Sequence, residues 1–365
     1  MNWTSPAKRR LIFVSAAIIA ATAAATVYAC SSQSASSDDT EESEMQPIKS
    51  AVYVNDRLWL LHDDGSLVSL GPSDAKPEKV TAPGKLIEIC KLGGSLVAVA
   101  SGANAWTVEQ QQSAGWVVRA KLPTEGDSIA AIGCDGSANV VTVVTNKRVL
   151  DVAGDTVRTL KLKQELKPPF ANGIALATSD AVWLGFNVGE WGGGLKRIAR
   201  SGGQVQAVAR NRSGELCGGP LNTECDPVTG IVSAPWDRSC VVASIGLVHM
   251  MSHGRLVEVC GNDVRRLYFK ALDPQPPNNR LDDGEPASTV AFFGLQGAPS
   301  SLWAVGLDGL YRFDGKQSPT FQPLPKFENK GGYWVSFDVP GVALVMTDVN
   351  QRLSMSGSVP IMAVR

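Results

Sequence analysis

Short apolar runs recur along this chain, each broken by a polar or glycine-bearing turn and then resumed. Seven such hairpin patterns begin at Leu58 (RLWLLHDDGSLVSL), Leu96 (SLVAVASGANAWTV), Val140 (NVVTVVTNKRVLDV), Val182 (AVWLGFNVGEWGGGLKRI), Val241 (CVVASIGLVHMMSHGRLVEV), Leu302 (SLWAVGLDGLYRF) and Val342 (VALVMTDVNQRLSM). Their starts lie 38 to 44 residues apart, except for steps of 59 and 61 that must carry insertions. One four-stranded propeller blade uses roughly 40 to 50 residues, so the period predicts an all-β chain folded as a β-propeller.

Each hairpin is preceded by a further β-prone run, among them AVYV from Ala51, LIEIC from Leu86, IAAIG from Ile129 and YWVSF from Tyr333. Weaker fourth runs follow, such as TVRTLKL from Thr156 and VPIMAV from Val359. Runs rich in Val, Ile and aromatics between Gly, Asp, Asn and Pro are strands by composition. The first run of each unit is mostly small or aliphatic, which suits the crowded innermost strand. Residues 51–365 would give seven blades of about 45 residues, with six or eight as alternatives because of the two long steps. Helical periodicity is nearly absent after residue 50, which disfavours a parallel α/β fold, whose crossovers need long amphipathic helices.

The N-terminus differs in kind. Lys8, Arg9 and Arg10 precede an uncharged stretch over residues 11–29, and Val27-Tyr28-Ala29-Cys30 then leads into a polar run. A basic region, an apolar region and small residues before a break mark an export signal. With Cys30 at that break, residues 1–30 resemble a bacterial lipoprotein precursor, which implies lipidation of Cys30 as the mature N-terminus. An uncleaved membrane anchor and ordinary signal-peptidase cleavage are the alternatives. All three place the remaining chain outside the cytoplasm, in the bacterial periplasm or at the cell surface, because the cations stay inside. Residues 30–50 are rich in Ser and acidic groups and read as a disordered tether between residues 1–29 and the propeller at 51–365.

Charge is close to balanced, with 34 Lys and Arg against 35 Asp and Glu. No basic stripe marks a nucleic-acid surface, so none is expected as a partner. Of the seven cysteines, six remain once Cys30 carries lipid, and an even number in an exported chain points to disulfides. Cys217 and Cys225 enclose the short loop CGGPLNTEC and are expected to bridge locally. Cys90 and Cys134 follow successive first strands and could meet between blades; Cys240 and Cys260 then remain within the fifth unit. Buried free thiols in strands are the alternative for Cys90, Cys134 and Cys240.

Catalytic chemistry is not legible. There is no nucleophile elbow and no phosphate loop, and Gly192-Gly193-Gly194 lacks the following helix of a dinucleotide site. His249, His253 and Cys260 read as H-x3-H-x6-C, which matches no usual zinc spacing; Ser252-His253-Gly254 has the composition of a turn, and no metal site is assigned. The segment 272–286 gathers Asp, Asn and Glu on a long loop without a calcium-loop spacing; no cofactor is expected, with calcium as the exception to test. Asp63-Asp64 and Asp282-Asp283 precede glycine and suit tight turns.

Trp59, Trp183 and Trp303 recur at one register of three hairpins, which indicates packing between blades. Trp191, beside the glycine triplet, breaks that register and is the aromatic expected on a loop, free to stack on a ligand. His62 and His253 are further candidates for a ligand surface.

GLDGLYRFDG from Gly306 and VWLGFNVGEWGGGLKRI from Val182 resemble the blades of bacterial periplasmic sensor propellers of the two-component-regulator type. That resemblance implies blade architecture and no particular ligand. Two functions follow from the whole reading. The first is a membrane-tethered binding or scaffolding module that recognises a protein, peptide or glycan through loops at one mouth of the ring. The alternative is an exported hydrolase or lyase with acid and base in the central channel, dependent on calcium.

Overall fold

The computed structural model describes residues 48–170, 173–210, 219–249, 252–273, 286, 288–315, 318–325, 333–347 and 360–365. The segment expected to be a signal, Cys30, Cys217 and most of the acidic loop at 272–286 lie outside them. Among the described residues the chain is all-β apart from a single 3-10 turn, Gly189–Trp191.

The strands form meanders. β1 (Ile48–Val54), β2 (Arg57–His62), β3 (Leu67–Leu70) and β4 (Glu78–Val80) make the first sheet; β5 (Lys85–Leu92), β6 (Ser95–Ser101), β7 (Ala105–Gln112) and β8 (Gly115–Pro123) make the second. The next sheet has eight strands: β9 (Ile129–Asp135), β10 (Val140–Thr145), β11 (Arg148–Ala153), β12 (Thr156–Lys161), β13 (Ile174–Ala177), β14 (Ala181–Gly185), β15 (Leu195–Ala199) and β16 (Val205–Val208). Its order, β12-β11-β10-β9-β13-β14-β15-β16, is two meanders joined back to back where Ile132 of β9 meets Ile174 of β13 in parallel. Two four-stranded sheets follow, with β17 (Val228–Ala234), β18 (Asp237–Val248), β19 (Ser252–Cys260) and β20 (Asp263–Tyr268), then β21 (Phe292–Gly297), β22 (Leu302–Gly306), β23 (Gly309–Phe313) and β24 (Thr320–Pro323). The last has three strands, β25 (Tyr333–Ser336), β26 (Val342–Thr347) and β27 (Pro360–Val364).

The first strands of successive meanders pack on one another: β1 on β5, β5 on β9, β9 on β13, β13 on β17, β17 on β21, β21 on β25 and β25 on β1. This closure gives a propeller-like arrangement. The hydrophobic effect drives it, because each apolar cluster is shared by two consecutive meanders: Val52, Trp59 and Leu61 pack with Leu86 and Ile89, and Ile48 and Ala51 pack with Leu344 and Met346.

β-Bulges recur near the start of the first strands, between Ile48 and Ser50, Leu86 and Glu88, Val228 and Gly230, and Phe292 and Gly294. A bulge turns one residue out of the ladder, freeing its polar groups for a neighbour. Lys49 Nζ accordingly donates to the Ile87 carbonyl of the next meander, and Thr229 Oγ1 donates to the Phe292 carbonyl at 2.5 Å.

Strand direction alternates within a meander, so second-to-third turns and the links between meanders fall on one face. The irregular segments 186–194, 209–210 and 219–227 lie there. The opposite face has tight turns such as Asn55-Asp56, both at positive φ (53° and 56°).

Two local readings are corrected. β1 begins at Ile48, inside the segment expected to be tether. Ile48 is buried, and its packing on Leu344 and Met346 pulls the chain into the sheet. The pairing of β18 with β19 runs out to Val248 and Ser252, so His253 lies on a strand, opposite Leu247, rather than in a turn. Gly246 and Gly254 are paired there, and a Cβ on either would fall within 2.4 Å of β21 or the residue before it. The long hairpin thus leans on its neighbour's backbone.

Candidate functional site

The loop-bearing face over β14–β19 gathers most of the unusual side chains. Gly192, Gly193 and Gly194 follow the 3-10 turn with φ of 74°, 119° and 69°, a region only glycine enters freely. A Cβ on Gly192 would lie 2.3 Å from the Glu224 carbonyl, and one on Gly194 2.6 Å from Thr223 Cα. The glycine triplet therefore lets two loops close on each other. Gly194 N donates to the Asp226 carbonyl at 2.9 Å, Phe186 N to Gly194 O at 3.1 Å and Val188 N to Gly192 O at 2.9 Å. On this fixed frame Trp191 is 75% exposed.

Beside it, Glu190 Oε2 lies 2.9 Å from His249 Nδ1. Below lies a buried polar knot. Asp226, fully buried, accepts from Arg255 Nη2 at 2.5 Å and from the Asn222 backbone N–H at 2.6 Å. Arg255 also donates to the Pro220 carbonyl at 2.7 Å, and its Nη1 lies 2.7 Å from His253 Nε2. The same Nε2 lies 3.4 Å from Asp226 Oδ1, so it accepts from Arg255 in one protonation state of the ring and donates to Asp226 in another. The knot ties the 219–227 loop to β19. A buried charge is tolerated only when paired in this way.

The structure thus brings Trp191 and His253 into one loop cluster. His62 lies apart at the end of β2, where its N–H closes a turn onto the Ser66 carbonyl at 2.9 Å. His249 and His253 hold separate partners rather than a shared site. Asp226, Arg255 and the Glu190–His249 pair were not legible from the sequence; the sole hint was a charge, Arg255, within an apolar strand.

Cys90 and Cys134 are bonded across β5 and β9, and Cys240 and Cys260 across β18 and β19. Cys225 is disulfide-bonded as well, while Cys217 lies outside the described residues. Cys240, Cys260 and Glu258 place possible ligand atoms within 4.8 Å of one another, but bonded sulfurs offer no thiolate and Glu258 is held by Arg265 and Trp236. Among the described residues, no helix is long and apolar enough to cross a membrane.

No protein-family profile matches the chain, and no curated protein is similar to it in sequence. Solved structures do resemble its fold. The extracellular domain of a candidate one-component system from B. thetaiotaomicron aligns with a TM-score of 0.52 and 12% identity over 88% of this chain and 38% of that one. The computationally designed Ika8 protein aligns at 0.49 and 12% identity, covering 83% and 81% of the two chains. YCF48 bound to D1 peptide aligns at 0.43 and 11% identity, over 71% and 74%. The chain spans well under half of the first of these proteins, and that likeness supports an all-β, propeller-like fold alone.

Proposed function

We propose that this chain is an extracytoplasmic β-propeller of seven blades that binds a protein, peptide or glycan on its loop-bearing face, around Trp191. Two of the blades are the halves of the eight-stranded sheet. The single observation that carries the binding role is Trp191, a large aromatic left exposed on a loop that close backbone packing and hydrogen bonds hold still. Rigid aromatic side chains give contact area at little entropic cost, which is why they anchor interfaces. Disulfides across strands and between meanders support an oxidising compartment, and the extracellular neighbour is consistent with it. Lipidation of Cys30, with residues 31–47 as spacer, would tether the ring to the membrane.

The test is a screen of glycan and peptide arrays with the wild-type chain and Trp191→Ala. A ligand that binds the wild type and loses at least tenfold in affinity with the variant, at unchanged thermal midpoint, supports the site. A ligand bound equally by both removes Trp191 from the function. For the tether, Cys30→Ser is expected to release the chain from membranes; unchanged retention would indicate an uncleaved helix over residues 11–29.

A further inference from the structure

We infer that Cys240, Cys260 and Glu258 form a site for a thiophilic divalent metal once their disulfide is reduced.

Geometry supplies the ligands. Cys240 and Cys260 are directly opposed on β18 and β19, with Cα atoms 4.3 Å apart. That is the spacing of a non-hydrogen-bonded antiparallel pair, in which side chains stand closest. Two thiolates on a tetrahedral zinc-like ion at about 2.3 Å each would be roughly 3.8 Å apart, a separation that rotation about χ1 provides. Glu258 is two residues before Cys260 on the same face of β19, and its carboxylate is within 4.8 Å of both sulfurs. Dithiolate plus carboxylate is a three-ligand set that leaves one position for water.

Electrostatics makes the exchange tolerable. Glu258 is fully buried and paired with Arg265, so the pocket is neutral in the disulfide state. After reduction and metal uptake its charges are +2 for the metal, −2 for two thiolates, −1 for Glu258 and +1 for Arg265, which again sum to zero. A buried site that keeps its net charge avoids the desolvation penalty of an uncompensated ion. Trp236 Nε1 donates to Glu258 Oε1 at 2.6 Å and Arg265 contacts Oε2. These contacts orient the carboxylate as outer partners of a metal ligand do. Cys260, only half-buried, is the side from which reductant and metal enter.

The chemistry balances. A dithiol reductant cleaves the disulfide, becoming a disulfide itself and leaving two thiols. Those thiols release two protons to solvent as the metal binds.

Co2+ is the probe. The full chain is reduced with a phosphine and titrated, and thiolate-to-cobalt charge-transfer absorption is followed alongside the thermal midpoint. One equivalent is expected to bind with a raised midpoint. Cys240→Ser should abolish the band, Glu258→Gln should weaken binding at least tenfold, and the unreduced chain should not bind. Should reduction unfold the chain, Co2+ is expected to restore its far-UV circular dichroism only when both cysteines are present. An identical cobalt spectrum in wild type and Cys240→Ser, or no metal uptake by the reduced chain, overturns the site.

Discussion

The guanidinium of Arg197 stacks on the ring of Trp183, its carbon 5.7 Å from the ring centroid, from the directly opposed position on the next strand. Arg312 and Trp303 repeat the arrangement at 5.6 Å in the sheet of β21–β24. These pairs explain why the two hairpins share a Trp on the second strand and an Arg on the third: the cation lies over the aromatic ring of the residue opposite it. Trp183 itself is buried in the cluster shared with β17–β19. Trp183→Ala is expected to lower stability by about 3 to 5 kcal/mol through cavity formation. Arg197→Ala should lower it by no more than about 1 kcal/mol. Urea denaturation of both variants measures the ratio, and equal losses would contradict it.

The paired strands were legible because alternation and turn residues are local. Six of the seven hairpin patterns correspond to adjacent paired strands, and Trp59, Trp183 and Trp303 occupy equivalent second-strand positions. The second arm of the seventh lies outside the described residues, and its first arm, β26, pairs with Pro360–Val364, the run expected as a fourth strand. The bulges at Lys49, Ile87 and Thr229 were not, since a one-residue slip leaves almost no trace in composition and its cause lies in the adjacent meander. His253 was misread because Ser-His-Gly suits a turn locally, whereas the length of β18 decides that it is a strand. The exposure of Trp191 could be anticipated from its glycines, but the Asp226–Arg255 knot that fixes its neighbourhood joins residues 29 apart.

Acid should loosen the loop-bearing face at Asp127. Burial pushes its carboxyl up, but hydrogen bonds from Arg148, Thr145 and Lys147 together outweigh this and hold it below the usual carboxylate range. A depressed folded value means that the pairing contributes in full above the unfolded value, near pH 4, and is lost as pH falls through the folded one. Asp127→Asn should therefore be less stable than wild type at neutral pH by about 1.5 to 3 kcal/mol, because Arg148 loses a charged acceptor while keeping Glu125 and the Pro123 and Thr124 carbonyls, and the gap should shrink below about pH 4. Thermal midpoints across pH 2.5 to 7 check this; a gap independent of pH would remove Asp127 from the acid response.

The two described disulfides should differ in weight. Cys90–Cys134 spans 44 residues and Cys240–Cys260 spans 20. Loop-closure entropy then gives roughly 4 kcal/mol for the first and roughly 3 kcal/mol for the second. Replacing Cys90 and Cys134 with serine is expected to be the more damaging change, since it also unties two meanders. Denaturant midpoints of the two double variants decide it, and the reverse order would point to native-state contributions outweighing chain entropy.

The Cys217–Cys225 bridge is expected to be local in its effect. Cys225 is disulfide-bonded next to Asp226, whose carboxylate caps the Asn222 turn and receives Arg255. Closing this short loop contributes about 2 to 3 kcal/mol by chain entropy, less than either longer bridge. Replacing both cysteines with serine should speed hydrogen exchange at Asn222, Cys225 and Gly194, whose N–H groups bond within this loop or to Asp226, and leave β18 and β19 protected. Recovery of Cys217 and Cys225 as free thiols from chain made in an oxidising compartment would refute the bridge.

The ring should also depend on residues ahead of position 51. Ile48 is buried against Leu344 and Met346 and pairs with His62, and Lys49 reaches the Ile87 carbonyl. A chain starting at Ala51 loses all three: the packing where the last sheet meets the first, a pairing within the first sheet, and a contact to the second. Burial of one isoleucine is worth about 1.5 to 3 kcal/mol, so this chain should melt several degrees below one starting at Met45 while keeping a β-rich circular dichroism spectrum. Ile48→Ala in the longer chain should reproduce most of the difference. Equal midpoints for the two starting points would mean that β1 closes the ring without its first turn of chain.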